Sequence, residues 1–381
     1  MSSASGSSTR ILSLGGAGDY FADSHHVTRW FGCLPDYTNL AILELGQHSS
    51  LANKAADQGS LHRQGVGVHY ALDAEQRWGS VAVYLSEVTA AGQVPGSFFA
   101  LWARSFGAVQ MGCYGNWSFH EELSLADEPD LETSQLAEDL SLGLGLRSDL
   151  ADRLYGDFAV VLHGSRREFG VGTDILASES GWRSFDTRVR FFAGFGEHAA
   201  LVPLCEYTRV DRLAAGGDLA LAVDRDHYET RIGLGLNLFP DADNLLIASY
   251  EVQFGREDRT GVAGVVDGFR EQEIRYNTHQ LRIGIESRVL PWLSLRGGGR
   301  QRIPHQDITT VSETIAGTAN DTVSSRTPEL DLNLGLGIFF CSFTADLVFS
   351  DTTPFTFGHF LTGAGADRDS NFSSITLSYR F

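Results

Sequence analysis

The chain has 381 residues, with 48 acidic against 29 basic side chains and a formal charge of −19, so it lacks the basic footprint that nucleic-acid binding requires. Its 42 glycines, 24 phenylalanines, 11 tyrosines and 6 tryptophans favour strands and tight turns, and its 9 prolines are too few for a disordered linker protein. No run approaches the roughly 18 apolar residues of a membrane-crossing helix, a limit that does not bind strands, which cross with about 9–11 residues of alternating polarity.

Residues 1–9 are Ser/Gly-rich, without the charged and apolar regions of an export signal, and are expected to be disordered. An exported chain of this sequence implies a signal removed from it or a misassigned start. Residues 10–38 follow: Arg10-Ile-Leu-Ser-Leu-Gly-Gly-Ala-Gly18, then Ala22-Asp23, then Trp30-Phe-Gly-Cys-Leu-Pro35-Asp. The run Gly15, Gly16, Ala17, Gly18 permits tight turns and close packing but is not a dinucleotide fingerprint. This order of Arg-x-Leu-x-Leu-Gly-Gly-Ala, then Ala-Asp, then a Pro-containing turn resembles the amino-terminal segment of FadL-like outer-membrane proteins. That superfamily includes fatty-acid and hydrocarbon channels and PorV-type secretion partners. Leu34-Pro35-Asp36 stands where the family usually has Asn-Pro-Ala. The resemblance implies that residues 10–38 form a plug, with Gly15, Gly16, Ala17, Gly18 and Asp23 in it. It also implies that residues 39–381 form a barrel, usually of fourteen strands, in the outer membrane of a Gram-negative bacterium.

From Asn39 onward the polarity alternates with period two. Leu140, Leu142, Leu144 and Leu146 alternate with Ser141, Gly143, Gly145 and Arg147, and Ile232–Leu238, Leu281–Ile285 and Leu330–Ile338 behave alike. A helix would need spacings of three and four. The pattern predicts strands at 39–47, 65–73, 79–87, 97–105, 108–118, 137–147, 153–163, 183–194, 197–208, 226–238, 244–255, 273–288, 291–302, 327–340, 342–350 and 373–381. The links alternate strictly between long and short, as in outer-membrane barrels with short turns at one end and long loops at the other. A soluble sandwich has no reason to sort its loops so. The expected fold is all-β, a closed antiparallel transmembrane barrel of 14–16 strands, sixteen by count.

If the Leu/Ile/Val faces meet lipid, the alternate positions line the lumen: Arg188, Arg190, Arg231, Glu251, Arg282, Glu286, Arg288, Arg296, Arg300, Asp331 and Asp346, with Asp157, His163 and Asp186. Such a set reads either as a selectivity field or as an Arg–carboxylate network that stiffens the barrel and anchors the plug. No nucleophile motif such as Gly-x-Ser-x-Gly accompanies His69, His163 or His279, and His25-His26 has no further ligands at metal-binding spacing, so no catalytic residue, metal or cofactor is expected. Cys113 and Cys205 fall mid-strand and are expected to be buried thiols, with a Cys33–Cys341 bridge left open. The loop at 307–326 is polar. The one at 353–361 carries Phe355, Phe357 and Phe360, suited either to capturing a greasy substrate or to the aromatic girdle. The chain ends in an amphipathic strand whose Tyr379 and Phe381 resemble the terminal signal read by the outer-membrane assembly machinery. Expected partners are outer-membrane lipid, that machinery, and a small hydrophobic ligand or detergent; the oligomeric state stays open. Two functions remain, a channel for small hydrophobic or amphipathic molecules and a non-transporting scaffold or secretion partner, with a soluble all-β protein as a third.

Overall fold

A computed structural model of the chain describes residues 7–48, 61–89, 96–124, 133–171, 174–214, 223–261, 271–314, 317–350 and 374–381. The strands are β1 (Leu40–His48), β2 (Leu61–Ala71), β3 (Ser80–Thr89), β4 (Gly96–Phe106), β5 (Val109–Ser124), β6 (Thr133–Ala151), β7 (Leu154–Val171), β8 (Asp174–Phe195) and β9 (Ala199–Ala214). They continue as β10 (Val223–Asp241), β11 (Asn244–Gly261), β12 (Glu271–Leu290), β13 (Leu293–Thr314), β14 (Gly317–Ser325), β15 (Glu329–Phe340), β16 (Phe343–Ser350) and β17 (Ser374–Arg380). Each pairs antiparallel with its neighbour in sequence except β14 and β15, both of which pair with β13, and β17 returns to β1 with Leu40 opposite Arg380 and Leu45 opposite Ile375. The sheet is therefore closed, and no membrane-level edge is left to aggregate.

Sixteen of the seventeen strands make the ring, and each answers to one expected from the sequence. The additional one is β14. It pairs with the far half of β13, Gln306–Thr314, while the near half, Leu293–Arg302, pairs with β15. The stretch 307–326, expected as a loop, is mostly this hairpin. Its residues are polar on both faces because both faces lie beyond the apolar band, so no alternation marked it as a strand.

The alternation has its physical origin in the outer face. Leu144 is 69% exposed, Ile283 58% and Leu334 58%, while Ser141, Arg282 and Asp346 on the opposite face are buried. An apolar surface this continuous is stable only against lipid. Two aromatic belts bound it. Trp78, Phe106, Phe195, Trp292, Phe340 and Phe381 are exposed near the short turns, and Trp117, Phe119, Trp182, Tyr228 and Phe254 are exposed at the other level. From Leu140 to Leu150 on β6, the apolar band spans roughly 25 Å at an ordinary barrel tilt. Cys113 and Cys205, expected inside, instead face outward, opposite Leu144 and Ile232. All four cysteines are free, and Cys33 alone is buried.

Wall height is uneven. Strands β6 to β13 run from 16 to 22 residues, whereas β1 to β4 have 9 to 11.

Before β1 the chain folds as α1 (Ser8–Ser13) and three short 3-10 turns, Gly18–Tyr20, Ser24–Thr28 and Phe31–Tyr37. Ser7 caps α1 by accepting from the Arg10 N–H. Gly15 and Gly16, at φ 70° and 73°, end it with paired N–H bonds to Leu12 and Ile11 carbonyls, each 3.0 Å, a left-handed stop that favours glycine. Ser7, Ser8 and Thr9 are buried, so the packed segment starts before Arg10. Its residues and the inward side chains of the wall form one apolar core.

Candidate functional site: the N-terminal segment against the inner wall

Segment 7–38 bonds to residues on nearly every side of the ring, always on the face opposite the lipid-type one, and so lies inside the wall. Arg10 donates to Asp23 at 3.0 Å and, with two nitrogens, to Glu286 on β12 at 2.8 and 2.9 Å. Arg296 joins Glu286 to Asp346, and Asp346 in turn accepts from Ser7 at 2.7 Å. Thr9 bonds Ser374 and Thr376 on β17. On the next side, Asp19 accepts from Arg29 at 2.9 Å and from Arg231 at 2.5 Å, and both arginines also reach Glu206 on β9. Tyr20 donates to Glu251 at 3.0 Å, which Arg282 also holds at 3.0 Å. Arg190, fully buried, bonds the Asp19 carbonyl and Asp157 and lies over the Trp30 ring at 4.5 Å. Arg147 bridges Asp157 and Asp36.

Arg190, Arg231, Glu251, Arg282, Glu286, Arg296 and Asp346, together with Asp23, thus come together in one network around the segment. Arg188 pairs with Asp186 at 2.5 Å on the same wall. Arg300 and Asp331 pair with each other at 2.5 Å without touching the segment. Arg288 is apart: exposed near a short turn, it covers the Phe339 ring at 4.8 Å. Sequence reasoning passed over Arg10, Asp19, Arg29, Arg147 and Glu206. Arg147 and Glu206 had the inward parity of their neighbours as a signal; the segment's charges had none, because only the fold shows what they face.

Close approach depends on glycine in the wall. A Cβ at Gly298 would lie 2.2 Å from the Gly15 nitrogen and 2.4 Å from the Leu14 carbonyl carbon. One at Gly112 would meet the Phe31 oxygen at 2.5 Å. On β6, β10 and β15 the Leu-Gly alternation does the same, with leucine outside and, at Gly145, Gly235 and Gly335, room inside for Phe31, Tyr20 and Ser13.

The inner surface is divided. Strands β6 to β16 supply most of the charges, whereas β1 to β5, apart from Glu44 on β1, present Ile42, Ala82, Tyr84, Phe99, Leu101 and Tyr114. Phe31 stacks on Tyr114 at 4.7 Å, and Leu34 and Tyr37 are buried in the same core. Between the segment and β1–β4 a cleft at Thr28, Ile42, Tyr84 and Phe99 offers only about 10 Å³, room for one water. On the segment's open side lies a recess of about 470 Å³, edged by Ile11, Leu12, His25, His26, Arg29 and Arg188.

Burial raises the Asp23 carboxyl to about 6 in spite of Arg10 and the His25 N–H. Burial also acts on Asp19, but Arg29 and Arg231 outweigh it and hold that carboxyl well below its usual range. His26 is pushed well below its ordinary value by burial and by Arg190, so it is neutral. His25 lies 3.4 Å from Glu44, and no group of three metal-ligating side chains occurs among the described residues. His69 bonds the Tyr37 carbonyl and the Tyr84 hydroxyl, a structural role. Phe355, Phe357 and Phe360 lie outside the described residues.

No protein-family model and no curated protein matches the chain. Among solved structures it is similar to CdiB from Acinetobacter baumannii, at 11% identity and TM-score 0.50, over 90% of this chain and 60% of that one. It is similar to CdiB from Escherichia coli at 12% identity and TM-score 0.50, over 89% and 62%. This chain thus spans about three fifths of the length of either. A Pseudomonas aeruginosa FadL homologue aligns over 97% of both chains at 11% identity and TM-score 0.48. At such identities the likeness is one of fold, that of an outer-membrane β-barrel.

Proposed function

We propose that the protein is an outer-membrane channel for small hydrophobic or amphipathic molecules, with segment 7–38 as its plug. The observation that carries this is the divided lumen: a largely apolar inner surface on β1 to β5, with Glu44 its buried acid, facing a charged one that holds the segment by ion pairs. The recess of about 470 Å³ is of the size that takes a small organic ligand, with Ile11 and Leu12 for its apolar part and Arg29 and Arg188 for a polar end. A solute seated there lies beside the cleft at Tyr84 and Phe99, which opens when the segment shifts. The acidic surface and the lipid-facing belts suit the outer membrane of a Gram-negative cell, with lipid around the barrel and the assembly machinery reading its last strand.

Solute flux into liposomes, measured for the full chain and for a chain lacking residues 7–38, tests the reading. The expected result is slow, size-limited flux of amphipathic solutes through the full chain and fast, unselective flux through the shortened one. No flux through either form removes the channel reading. A second reading, a non-transporting scaffold, is favoured by how tightly the segment is tied. It predicts flux only without the segment, and none of any solute with it.

A further inference from the structure

Three inward side chains on adjoining strands lie at the edge of the segment's network, joined to it through Arg188 and Glu206. Ser141 on β6 lies opposite His163 on β7 in the register, and its Oγ is 2.8 Å from the His163 Nδ1. The His163 Nε2 is 3.3 Å from Oδ2 of Asp186 on β8. Asp186 is held in turn by Arg188 at 2.5 Å. With the Nε2 proton directed at Asp186, Nδ1 is the acceptor and the Ser141 hydroxyl the donor. Asn116 on β5 lies directly across from Ser141 on its other side, within the 4.5–5.5 Å reach of cross-strand neighbours, so the N–H of its side-chain amide is the nearest cross-strand donor on that side.

We propose that Ser141, His163 and Asp186 form a nucleophilic site that cleaves short-chain carboxylic esters, with the Asn116 amide as the donor to the developing oxyanion. The roles follow from the geometry. Ser141 Oγ bonds to the ester carbonyl carbon as its proton passes to Nδ1, and the carbonyl electron pair moves to oxygen, facing Asn116. The carbon–oxygen bond to the alcohol breaks as that alcohol takes the proton from Nδ1, leaving an acyl group on Ser141. Water then adds to the acyl carbon, gives its proton to Nδ1, and the same proton returns to Ser141 as the acid departs. One ester and one water give one acid and one alcohol, with no oxidant or cofactor. Asp186 orients the imidazole and balances its charge, and is a positioning residue.

Access sets the substrate class. The His163 side chain is 36% exposed, whereas Ser141 is 4% exposed. Only a small acyl group reaches Oγ past the ring edge, so acetyl esters are favoured and long acyl chains excluded. The site sits at the level of Trp117 and Trp182, the belt away from the short turns, so esters meet it on the long-loop side before they reach the segment. The inference is independent of transport: a barrel that passes nothing still has this site.

The test uses the full chain, folded in detergent. A small alkyl fluorophosphonate should add one phosphonyl group to the peptide containing Ser141, and p-nitrophenyl acetate should be hydrolysed faster than the octanoate. Ser141→Ala and His163→Gln should each lower acetate turnover by about 100-fold or more, and Asp186→Asn by about 10-fold or more with the alkaline limb of the pH profile moved. Ser165→Ala should change nothing. Heat-modified gel mobility establishes that each variant is folded. Phosphonylation and turnover in the unsubstituted chain decide the matter even if a variant does not fold. No label at Ser141, or turnover that survives Ser141→Ala in a folded barrel, overturns the proposal and leaves the three as a structural ladder.

Discussion

Arg10 is the residue on which the segment's docking turns. It is 4% exposed and satisfies two carboxylates at once, Asp23 from the segment and Glu286 from the wall. A buried pair is no gain over apolar packing, but removing one member strands the other, at about 3–5 kcal/mol. Arg10→Met should therefore release the segment, seen as protease cleavage within residues 10–38 while the barrel keeps its heat-modified mobility. Asp23 adds a pH dependence whose sign is fixed. Its carboxyl is raised from 3.8 to about 6, so its contribution to docking is full below pH 3.8 and is lost as pH rises through about 6, at most about 3 kcal/mol. His26 works the other way: lowered from 6.5, it supports docking above 6.5 and withdraws that support as pH falls. Comparing the unsubstituted chain with Asp23→Asn cancels the histidine. The difference in hydrogen-exchange protection of residues 10–38 should grow in favour of the unsubstituted chain from pH 7 to pH 4. A flat difference would mean that Asp23 is not buried in the docked state.

At the level of elements, β13 shows how one strand serves lipid and segment together. Gly297, Gly298 and Gly299 are consecutive, yet the pleat gives them different work. A Cβ on Gly298 meets Leu14 and Gly15 backbone, which cannot rotate away. A Cβ on Gly297 meets only the Ile285 and Leu334 methyls, at 3.6 and 3.7 Å, ordinary contact. Gly298→Ala should thus dislodge the segment and raise single-channel conductance toward that of the chain lacking residues 7–38, whereas Gly297→Ala should leave it unchanged. Strands were legible in the sequence wherever one face meets lipid and the other does not. They ceased to be legible where both faces meet water: β8 begins at Asp174, not near Arg183, and β14 went unread. The network was legible only by half. Parity told that Glu251, Arg282 and Asp346 point inward, but the partners of inward charges depend on stagger, and on a segment more than two hundred residues away in the chain. The Ser141–His163–Asp186 cluster escaped for the same reason, since no local motif precedes it.

For the whole molecule, closure is the step on which everything else waits, because neither the lumen nor the segment's binding surface exists in an open sheet. The closing seam is short: among the described residues β1 and β17 share a six-residue register from Leu40–Arg380 to Leu45–Ile375, while β7 and β8 stay paired from Leu154 to Val171. Phe381 extends the seam by donating its N–H to the Asn39 carbonyl at 3.0 Å. Its ring lies 6.4 Å from Tyr70 on β2 and 6.3 Å from Tyr379. It thus covers the junction from the lipid side, at the turn-side belt, and clasps the second strand as well as the first. Loss of an exposed aromatic elsewhere in that belt, such as Trp292, removes interfacial area from strands already held by long ladders. Loss of Phe381 removes it from a seam that, among the described residues, is as short as any, six pairs like its neighbour β16–β17. Removing Phe381 should accordingly lower the amount of heat-modifiable barrel in outer-membrane fractions by about tenfold, against less than twofold for Trp292→Ala. Phe381→Tyr, which keeps the ring and the backbone bond, should restore it. Equal losses for Trp292→Ala and the truncation would show that the belt as a whole, rather than the seam, limits assembly.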